Sequence, residues 1–263
     1  MNNDMKLYYQ KANKIKKEPT IRKRIYNIII NKSDQKLKLK NINNLLPKFI
    51  DLRRKFPPVY DQGNLASCTA CALCSIIQYL QPTFQGSKLF LYYNERKLEN
   101  SIPDDTGATL ISGIECLLKY GVCTELMWPY NIKKFAVKPT DPCYVNALEH
   151  QALKVNSIDE TFKTMKSFLA NGKPFVVGIL VYKSFESISV YKTGNVPMPN
   201  IRKDQILGGH AVVCVGYNDS SQKWIMRNSW GPSWGDKGYF YLPYNYLLNP
   251  NLTTDMWTIT KME

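Results

Sequence analysis

The stretch Asp61–Tyr79, DQGNLASCTACALCSIIQY, constrains the fold more than any other part of the chain. Its Gly63 and Asn64 interrupt regular structure, so the stretch opens with a polar turn. After Cys68 the apolar residues recur at spacings of three and four, which predicts a buried amphipathic helix. Cys68 is therefore expected in the first turn of that helix, where unpaired N–H groups and the helix dipole lower the pKa of a thiol. A cysteine in this position is a candidate nucleophile.

Such a nucleophile needs a general base, and the candidates are few because the chain has two histidines. His150 lies in YVNALEHQALKV, with nothing catalytic around it. His210 lies in ILGGHAVVCVGY, where a glycine pair, with Gly209 next to the histidine, leads into a β-branched strand pattern. Glycines at this point let another backbone or a substrate come close. His210 is therefore the candidate base.

Two amides complete the candidate site. Asn228, in WIMRNSWGPSW, can accept the proton of one ring nitrogen of His210 and leave the other nitrogen to face a thiolate. Gln62, six positions before Cys68, can donate an N–H to a developing oxyanion together with the backbone N–H of Cys68.

Three ordered blocks, QGNLASC, GGHAV and RNSWG, resemble the signatures of the papain-like (cathepsin-type) cysteine proteases. His210 follows Cys68 by 142 positions and Asn228 follows it by 160, against ~130–150 in the family. The resemblance runs from about Phe49 to the C-terminus. It implies that Cys68 is the nucleophile, His210 the general base and acid, Asn228 the residue that orients the ring, and Gln62 the oxyanion donor.

Four further positions are candidates for substrate binding, and no cofactor or metal is expected. Trp230 would cover the Asn–His hydrogen bond, and Gly209 would admit substrate beside the base. Gly107 matches the place where a glycine pair hydrogen-bonds the substrate backbone; a plain turn is the alternative. Asp255, in NLTTDMW, falls where a residue lines the pocket for the second residue before the cut and would favour a basic side chain. A surface carboxylate or strand cap is the alternative for Asp255.

The chain departs from the family pattern beside the nucleophile. Most members have Cys-Gly before the catalytic Ser-Cys and an aromatic residue after it, whereas this chain has Leu65, Ala66 and Thr69. The cysteine missing at Leu65 usually bridges to one just before the glycine pair. The corresponding stretch 104–107, DDTG, has no cysteine either. We therefore expect that disulfide to be lost together with both partners.

The chain of 263 residues, 44% of them hydrophobic, suits one large or two small domains. No apolar run approaches ~20 residues, so no membrane span is expected. The N-terminus lacks the apolar region of a secretory signal. Together with the missing family bridge, this predicts mostly reduced thiols among the seven cysteines, and an intracellular or virion-associated protein rather than a classically secreted one.

The net charge of +14 is concentrated in the first 47 residues, which hold 12 basic and 3 acidic residues, or +9. The remaining 23 basic and 18 acidic residues give +5. The resemblance suggests that this basic arm is a short propeptide that crosses the cleft as an intramolecular inhibitor and keeps a zymogen inactive. A disordered tail is one alternative, and weak contact with nucleic acid or an anionic surface is another.

The expected fold is α+β, a papain-like two-lobe fold with the active-site cleft between the lobes. Residues 1–47 form the arm and residues 48–263 the peptidase domain. A mainly helical lobe spans about 49–150, with helices from Cys68 and over Leu110–Tyr120. A β-rich, barrel-like lobe spans about 151–263, with a helix near Ile158–Asn171, an irregular segment over 183–207, and strands elsewhere. The strands are expected at Pro174–Tyr182, His210–Tyr217, Lys223–Asn228, Gly238–Leu242 and Met256–Ile259.

The predicted function is peptide-bond hydrolysis through an acyl-enzyme, by an endopeptidase or exopeptidase acting on a peptide or protein.

Cys68, Cys71 and Cys74 form C-x-x-C-x-x-C, which resembles an iron–sulfur run. No fourth cysteine follows at short range, and three thiols on a helix drift around its axis by about 60° per step. A transglutaminase-like acyltransferase is a second hypothesis, against which GGHAV and NSWG argue. A non-catalytic basic interaction protein is a third, against which the four intact site residues argue.

Overall fold

The computed structural model describes residues 46–263 and the backbone of residues 36–37. The basic arm predicted over residues 1–47 therefore lies almost entirely outside the described residues. Short 3-10 turns occur at Arg53–Lys55, Ile132–Lys134, Leu148–His150 and Lys183–Glu186. The helices are α1 (Cys68–Leu80), α2 (Lys88–Leu98), α3 (Leu110–Lys119), α4 (Asp141–Ala147), α5 (Phe162–Ala170), α6 (Ile188–Thr193) and α7 (Tyr244–Leu247). The strands are β1 (Lys36–Leu37), β2 (Phe49–Asp51), β3 (Ala152–Ile158), β4 (Phe175–Tyr182), β5 (Ile206–Asn218), β6 (Lys223–Arg227), β7 (Tyr239–Pro243) and β8 (Thr253–Met262).

The strands form one sheet in the order β1-β3-β8-β4-β5-β6-β7, and β2 pairs with β5 outside this path. The β1–β3 pair is parallel and the other pairs are antiparallel. Within the described residues β1 and β7 end the order, so the sheet is open rather than a closed barrel. Along the chain, helices α1 to α4 follow β1 and β2 and come before the other six strands. The predicted α+β two-lobe fold is confirmed.

Helix α1 lies at the centre of the molecule, because ten of its thirteen residues are buried. Its small side chains, among them Ala70 and Ala72, let neighbouring elements approach closely. The helix shares one hydrophobic cluster with α2, α3 and the face of β5 that carries Ala211 and Val213. A helix that is buried on all sides fits a position between the other helices and a sheet. No helix among the described residues is both long and apolar enough to pass through a bilayer.

The segment 183–207, predicted to be irregular, contains a 3-10 turn and helix α6, so that prediction is wrong over its first half. The Ser187 side chain accepts the Val190 N–H at the start of α6, and Gly194, with φ +69°, ends the helix. A cap and a left-handed glycine define this helix. Six residues are too few for the apolar spacing to reveal it.

Candidate active site

Cys68 is the first residue of α1, and only 1% of its surface is exposed. Burial raises the pKa of its thiol to about 12, while the backbone N–H groups of Ala211, Thr69 and Cys68 itself act in the opposite direction. The amides at the helix N-terminus thus lower the thiol pKa, as predicted, but desolvation raises it by more. The prediction that position alone lowers this pKa is wrong. A thiolate at Cys68 requires a positive neighbour.

His210 lies on β5 opposite Ile179 of β4, and its ring is held from two sides. Its Nε2 lies 2.8 Å from Oδ1 of Asn228, the residue directly after β6. The same oxygen accepts the Ser229 N–H at 2.8 Å, so Asn228 Oδ1 is an acceptor and Nε2 carries the proton. The Trp230 ring stacks on the imidazole with a centroid distance of 4.8 Å. The second ring nitrogen, Nδ1, is thereby the one that can serve a thiol.

Gln62 is locked between the turn before α1 and the segment after β6. Its Oε1 accepts the Ser229 hydroxyl at 2.5 Å, and its backbone N–H donates to the Ser229 carbonyl at 2.9 Å. Its Nε2 donates one proton to the Leu65 carbonyl at 2.8 Å, and a primary amide has a second proton to offer. Tyr130 donates its hydroxyl to the Gln62 carbonyl at 2.9 Å. The side-chain amide is therefore preorganised, with one N–H left as a donor.

The structure brings the four sequence-predicted catalytic residues into one region. The Cys68 sulfur lies at the backbone N–H of Ala211, the residue that follows His210. Asn228 and Gln62 are both hydrogen-bonded to Ser229. Ser229 was not identified from the sequence, although it lies within the RNSWG block. A thiol, a ring oriented by an amide, and a fixed amide donor are the components of nucleophilic acyl transfer.

Asp105 lies in the 104–107 stretch, where the family resemblance would place one cysteine of the missing disulfide. Its carboxylate oxygens accept the Ala66 N–H at 3.1 and 3.2 Å, and one of them also accepts the Tyr92 hydroxyl. Ala66 directly follows Leu65, where the family has a cysteine. Burial raises the pKa of the Asp105 carboxyl, while the bonds from Tyr92 and Ala66 oppose the shift. A carboxylate bridge therefore ties the turn before the nucleophile to the 104–107 loop.

Thr69, where the family has an aromatic residue, contacts a buried acid. Its hydroxyl donates to Oε2 of Glu95 on α2 at 2.7 Å. Oε1 of Glu95 has no hydrogen-bond partner among the described residues. Burial raises the pKa of Glu95 to about 8. Its charge, when present, raises the pKa of the Cys68 thiol, so Glu95 couples the site to pH.

The two predicted substrate-binding glycines are both buried. Gly107 has φ +77°, a conformation that favours glycine, and its N–H donates to the Tyr92 hydroxyl at 3.2 Å. That donor is thus used inside the protein. Gly209 lies on β5 next to His210, in register with Leu180 of β4. Their contacts with substrate stay predictions.

Asp255 lies on β8, and both of its carboxylate oxygens accept hydrogen bonds from neighbours in the chain. The Trp257 indole N–H donates at 2.7 Å and the Thr254 hydroxyl at 3.0 Å. Burial raises the pKa of Asp255, and these two bonds act against the shift. The Thr254 hydroxyl in turn fills the space where a side chain at Gly178 would lie. The bonds support the structural alternative for Asp255, and its place in a substrate pocket stays a prediction.

Comparisons with known proteins cover most of the chain. A model of the papain family cysteine proteases matches residues 46–256. An uncharacterized peptidase C1-like protein of Acanthamoeba polyphaga mimivirus is 42% identical over 242 residues, which cover 83% of this chain and 78% of the viral protein. Chymopapain of Carica papaya is 30% identical over 210 residues, covering 77% of this chain and 56% of the relative. The chain thus spans little more than half the length of chymopapain.

Solved structures agree with these matches. The crystal structure of xylellain, a cysteine protease from Xylella fastidiosa, has a TM-score of 0.84 at 35% identity and covers 93% of this chain and 100% of its own. Procathepsin B of Trypanosoma congolense has a TM-score of 0.73 over 91% of this chain and 87% of its own, and at 18% identity it shows the shared fold. The resemblance carried by the three sequence blocks is confirmed. The chain belongs to the papain family of cysteine proteases.

Proposed function

We propose that this papain-like cysteine protease hydrolyses peptide bonds with Cys68 as nucleophile, His210 as base and acid, Asn228 as the residue that orients the ring, and Gln62 as an oxyanion donor. One observation carries the assignment of roles. His210 is fixed by the 2.8 Å bond to Asn228 beneath the stacked Trp230, and the Cys68 sulfur lies at the amide that follows His210. These contacts support the roles of an oriented base and of a nucleophile close to it.

The reaction begins with transfer of the Cys68 proton to Nδ1 of His210. The imidazolium that results is the positive neighbour that a buried thiolate requires, and Asn228 Oδ1 stabilises it through Nε2–H. The thiolate then attacks the scissile carbonyl, and Gln62 with the Cys68 N–H binds the oxyanion; one such donor contributes ~10²–10³ in rate. His210 next protonates the leaving amine and activates water for deacylation, a role worth ~10²–10⁴.

The test is active-site labelling with an epoxysuccinyl peptide, followed by peptide mapping in a mass spectrometer. We expect the adduct on Cys68, and we expect Cys68→Ala to lose both labelling and turnover of a fluorogenic peptide. Cys71→Ala is the matched control, because Cys71 is an equally buried thiol one turn further along α1. Turnover in the Cys68→Ala protein would refute the assignment. Amine transfer in place of hydrolysis would favour an acyltransferase.

We also propose that residues 1–47 act as an intramolecular inhibitor of the peptidase domain, residues 48–263. The arm carries 12 basic and 3 acidic residues, and the matched span begins at residue 46, at the end of the arm. Removal of the arm by limited proteolysis should raise kcat/KM, and an unchanged value would leave the arm without this role. The alternative contacts of the arm, with nucleic acid or an anionic surface, fall on residues outside the described part, and the comparisons give them no support.

A further inference from the structure

The hydroxyl of Tyr130 contacts both residues on which the proposed oxyanion donors depend. Tyr130 lies in the connection between α3 and α4. Its O–H donates to the Gln62 carbonyl at 2.9 Å, and its oxygen lies 2.5 Å from the Ser67 hydroxyl. Gln62 carries the side-chain donor, and the peptide bond after Ser67 carries the Cys68 N–H. A single hydroxyl group therefore links the two halves of the oxyanion site.

The direction of each of these hydrogen bonds follows from the number of protons. A phenol has one proton and a carbonyl oxygen can only accept, so the Tyr130 proton goes to Gln62. The Ser67 hydroxyl must then donate to the Tyr130 oxygen. Burial raises the pKa of the Tyr130 phenol, so the phenol keeps its proton at neutral pH. The two bonds run in one direction, from Ser67 through Tyr130 to Gln62, which lets each strengthen the other.

Ser67 stands directly before α1, at the N-cap position. A serine there usually accepts a backbone N–H of the first turn, but among the described residues the Ser67 side chain makes no such bond. The residue is fully buried, and its hydroxyl is directed to Tyr130, with the Cys71 sulfur as a more distant contact at 3.9 Å. The start of the helix that carries Cys68 is thus held by Tyr130 rather than by a serine cap.

A buried ion pair fixes Tyr130 in turn. The Tyr130 N–H donates to Oε1 of Glu125 at 2.7 Å, and Oε2 of Glu125 pairs with Nζ of Lys88 at 2.8 Å. The Lys88 side chain is only 6% exposed, and its ammonium lies 5.4 Å from the centre of the Tyr130 ring, a cation–π distance. The backbone and the ring of Tyr130 are therefore held by contacts that do not involve its hydroxyl.

We infer that Tyr130 is a positioning residue of the oxyanion site, whose hydroxyl fixes the Gln62 side-chain amide relative to the Cys68 N–H. The inference rests on the proposed function, because it assigns Tyr130 a part in stabilising the oxyanion that attack by Cys68 creates. Such donors accelerate a reaction because they are already in place when the charge develops. Ser229 holds Gln62 from the segment after β6, and Tyr130 holds it from the helical lobe.

The experiment compares Tyr130→Phe with Tyr144→Phe. Tyr130→Phe removes the hydroxyl and leaves the ring and the N–H, so kcat for a fluorogenic peptide should fall about tenfold with little change in KM. The rate at which iodoacetamide alkylates Cys68 should equal that of the parent, because alkylation forms no oxyanion. Tyr144→Phe removes a hydroxyl that donates to Asn94 Oδ1 at 3.0 Å elsewhere in the helical lobe, and it should keep the parent kcat.

Two further variants make the test independent of any one protein. In Tyr130→Phe combined with Gln62→Ala, kcat should nearly match that of Gln62→Ala alone, because the donor that the hydroxyl positions is already absent. Ser67→Ala breaks the other hydrogen bond of the Tyr130 oxygen. It should also lower kcat and leave the alkylation rate unchanged.

Parent-like kcat in both Tyr130→Phe and Ser67→Ala would overturn the inference. An alkylation rate that falls together with kcat would also overturn it, since the whole site would then be distorted. The same holds if Tyr130→Phe lowers kcat by an equal factor with and without the Gln62 side chain. A Gln62→Ala protein with the parent kcat would instead refute the role proposed for Gln62 itself, which separates failure of the proposed function from failure of this inference.

Discussion

Replacing Asp105 with alanine tests whether its carboxylate does the work of the missing disulfide. The change removes the acceptor of the buried Ala66 N–H, at 3.1 Å, and of the Tyr92 hydroxyl. A buried donor left unpaired costs ~1–3 kcal/mol, so two donors cost ~2–6 kcal/mol. Because Asp105 is half-buried, water can reach part of the vacated space, and we expect a loss of about 2–3 kcal/mol in the free energy of unfolding.

The assay is guanidinium unfolding followed by tryptophan fluorescence, in a Cys68→Ala background that prevents self-digestion. Asp104→Ala is the control, because Asp104 is the exposed neighbour, and it should stay within about 0.5 kcal/mol of the parent. With Cys68 present, Asp105→Ala should lower kcat/KM about tenfold, since Ala66 positions the turn before the nucleophile. Equal unfolding free energies for the two aspartate variants would show that the carboxylate bridge contributes nothing.

Three further substitutions test the site. Gln62→Ala should lower kcat by ~10²–10³ with little change in KM, as loss of an oxyanion donor does; a change confined to KM would contradict this. Trp230→Ala should lower kcat/KM by roughly tenfold, because water then competes for the His210–Asn228 bond, and a rate equal to that of the parent would show that the stacked ring is dispensable. In Glu95→Gln, thiol alkylation of Cys68 should match the parent near pH 6.5 and exceed it above pH 8, where the parent Glu95 is ionised. Burial raises the folded-state pKa of Glu95 from 4.5 to about 8. The protonated carboxyl therefore makes its full contribution to the free energy of unfolding below pH 4.5, and this contribution is lost as the pH rises towards 8. The melting temperature of Glu95→Gln should therefore rise relative to that of the parent between pH 4.5 and about pH 8. Parallel melting-temperature profiles for the two proteins would show that Glu95 does not become a buried charge.

The sequence predicted what depends on neighbouring residues. The polar turn at Gly63 and the apolar spacing after Cys68 placed the start of α1 at the residue where the structure has it. The expected helix over Leu110–Tyr120 is α3, one residue shorter, and Gly121 with φ +71° ends it as predicted. Local spacing and caps are sufficient for such elements.

Features that depend on contacts between distant residues were not predicted. Ser229 holds Gln62 across 167 positions, and no local pattern reveals that bond. Helix α2 escaped notice because it buries Glu95 and Arg96, so its sequence lacks a clear apolar face. The direction of the Cys68 pKa shift was also missed, because desolvation depends on packing from β5, which the helix sequence does not contain.

The central claim is that Cys68 becomes a thiolate because His210 becomes its imidazolium partner. The most direct measurement is the rate at which iodoacetamide alkylates Cys68 as a function of pH, in the native sequence and in His210→Ala. With the pair intact, rapid alkylation should already occur at roughly pH 5, well below the range of a free thiol. His210→Ala should move the whole profile upward towards the high pKa that burial alone imposes. Superimposable profiles for the two proteins would contradict the account.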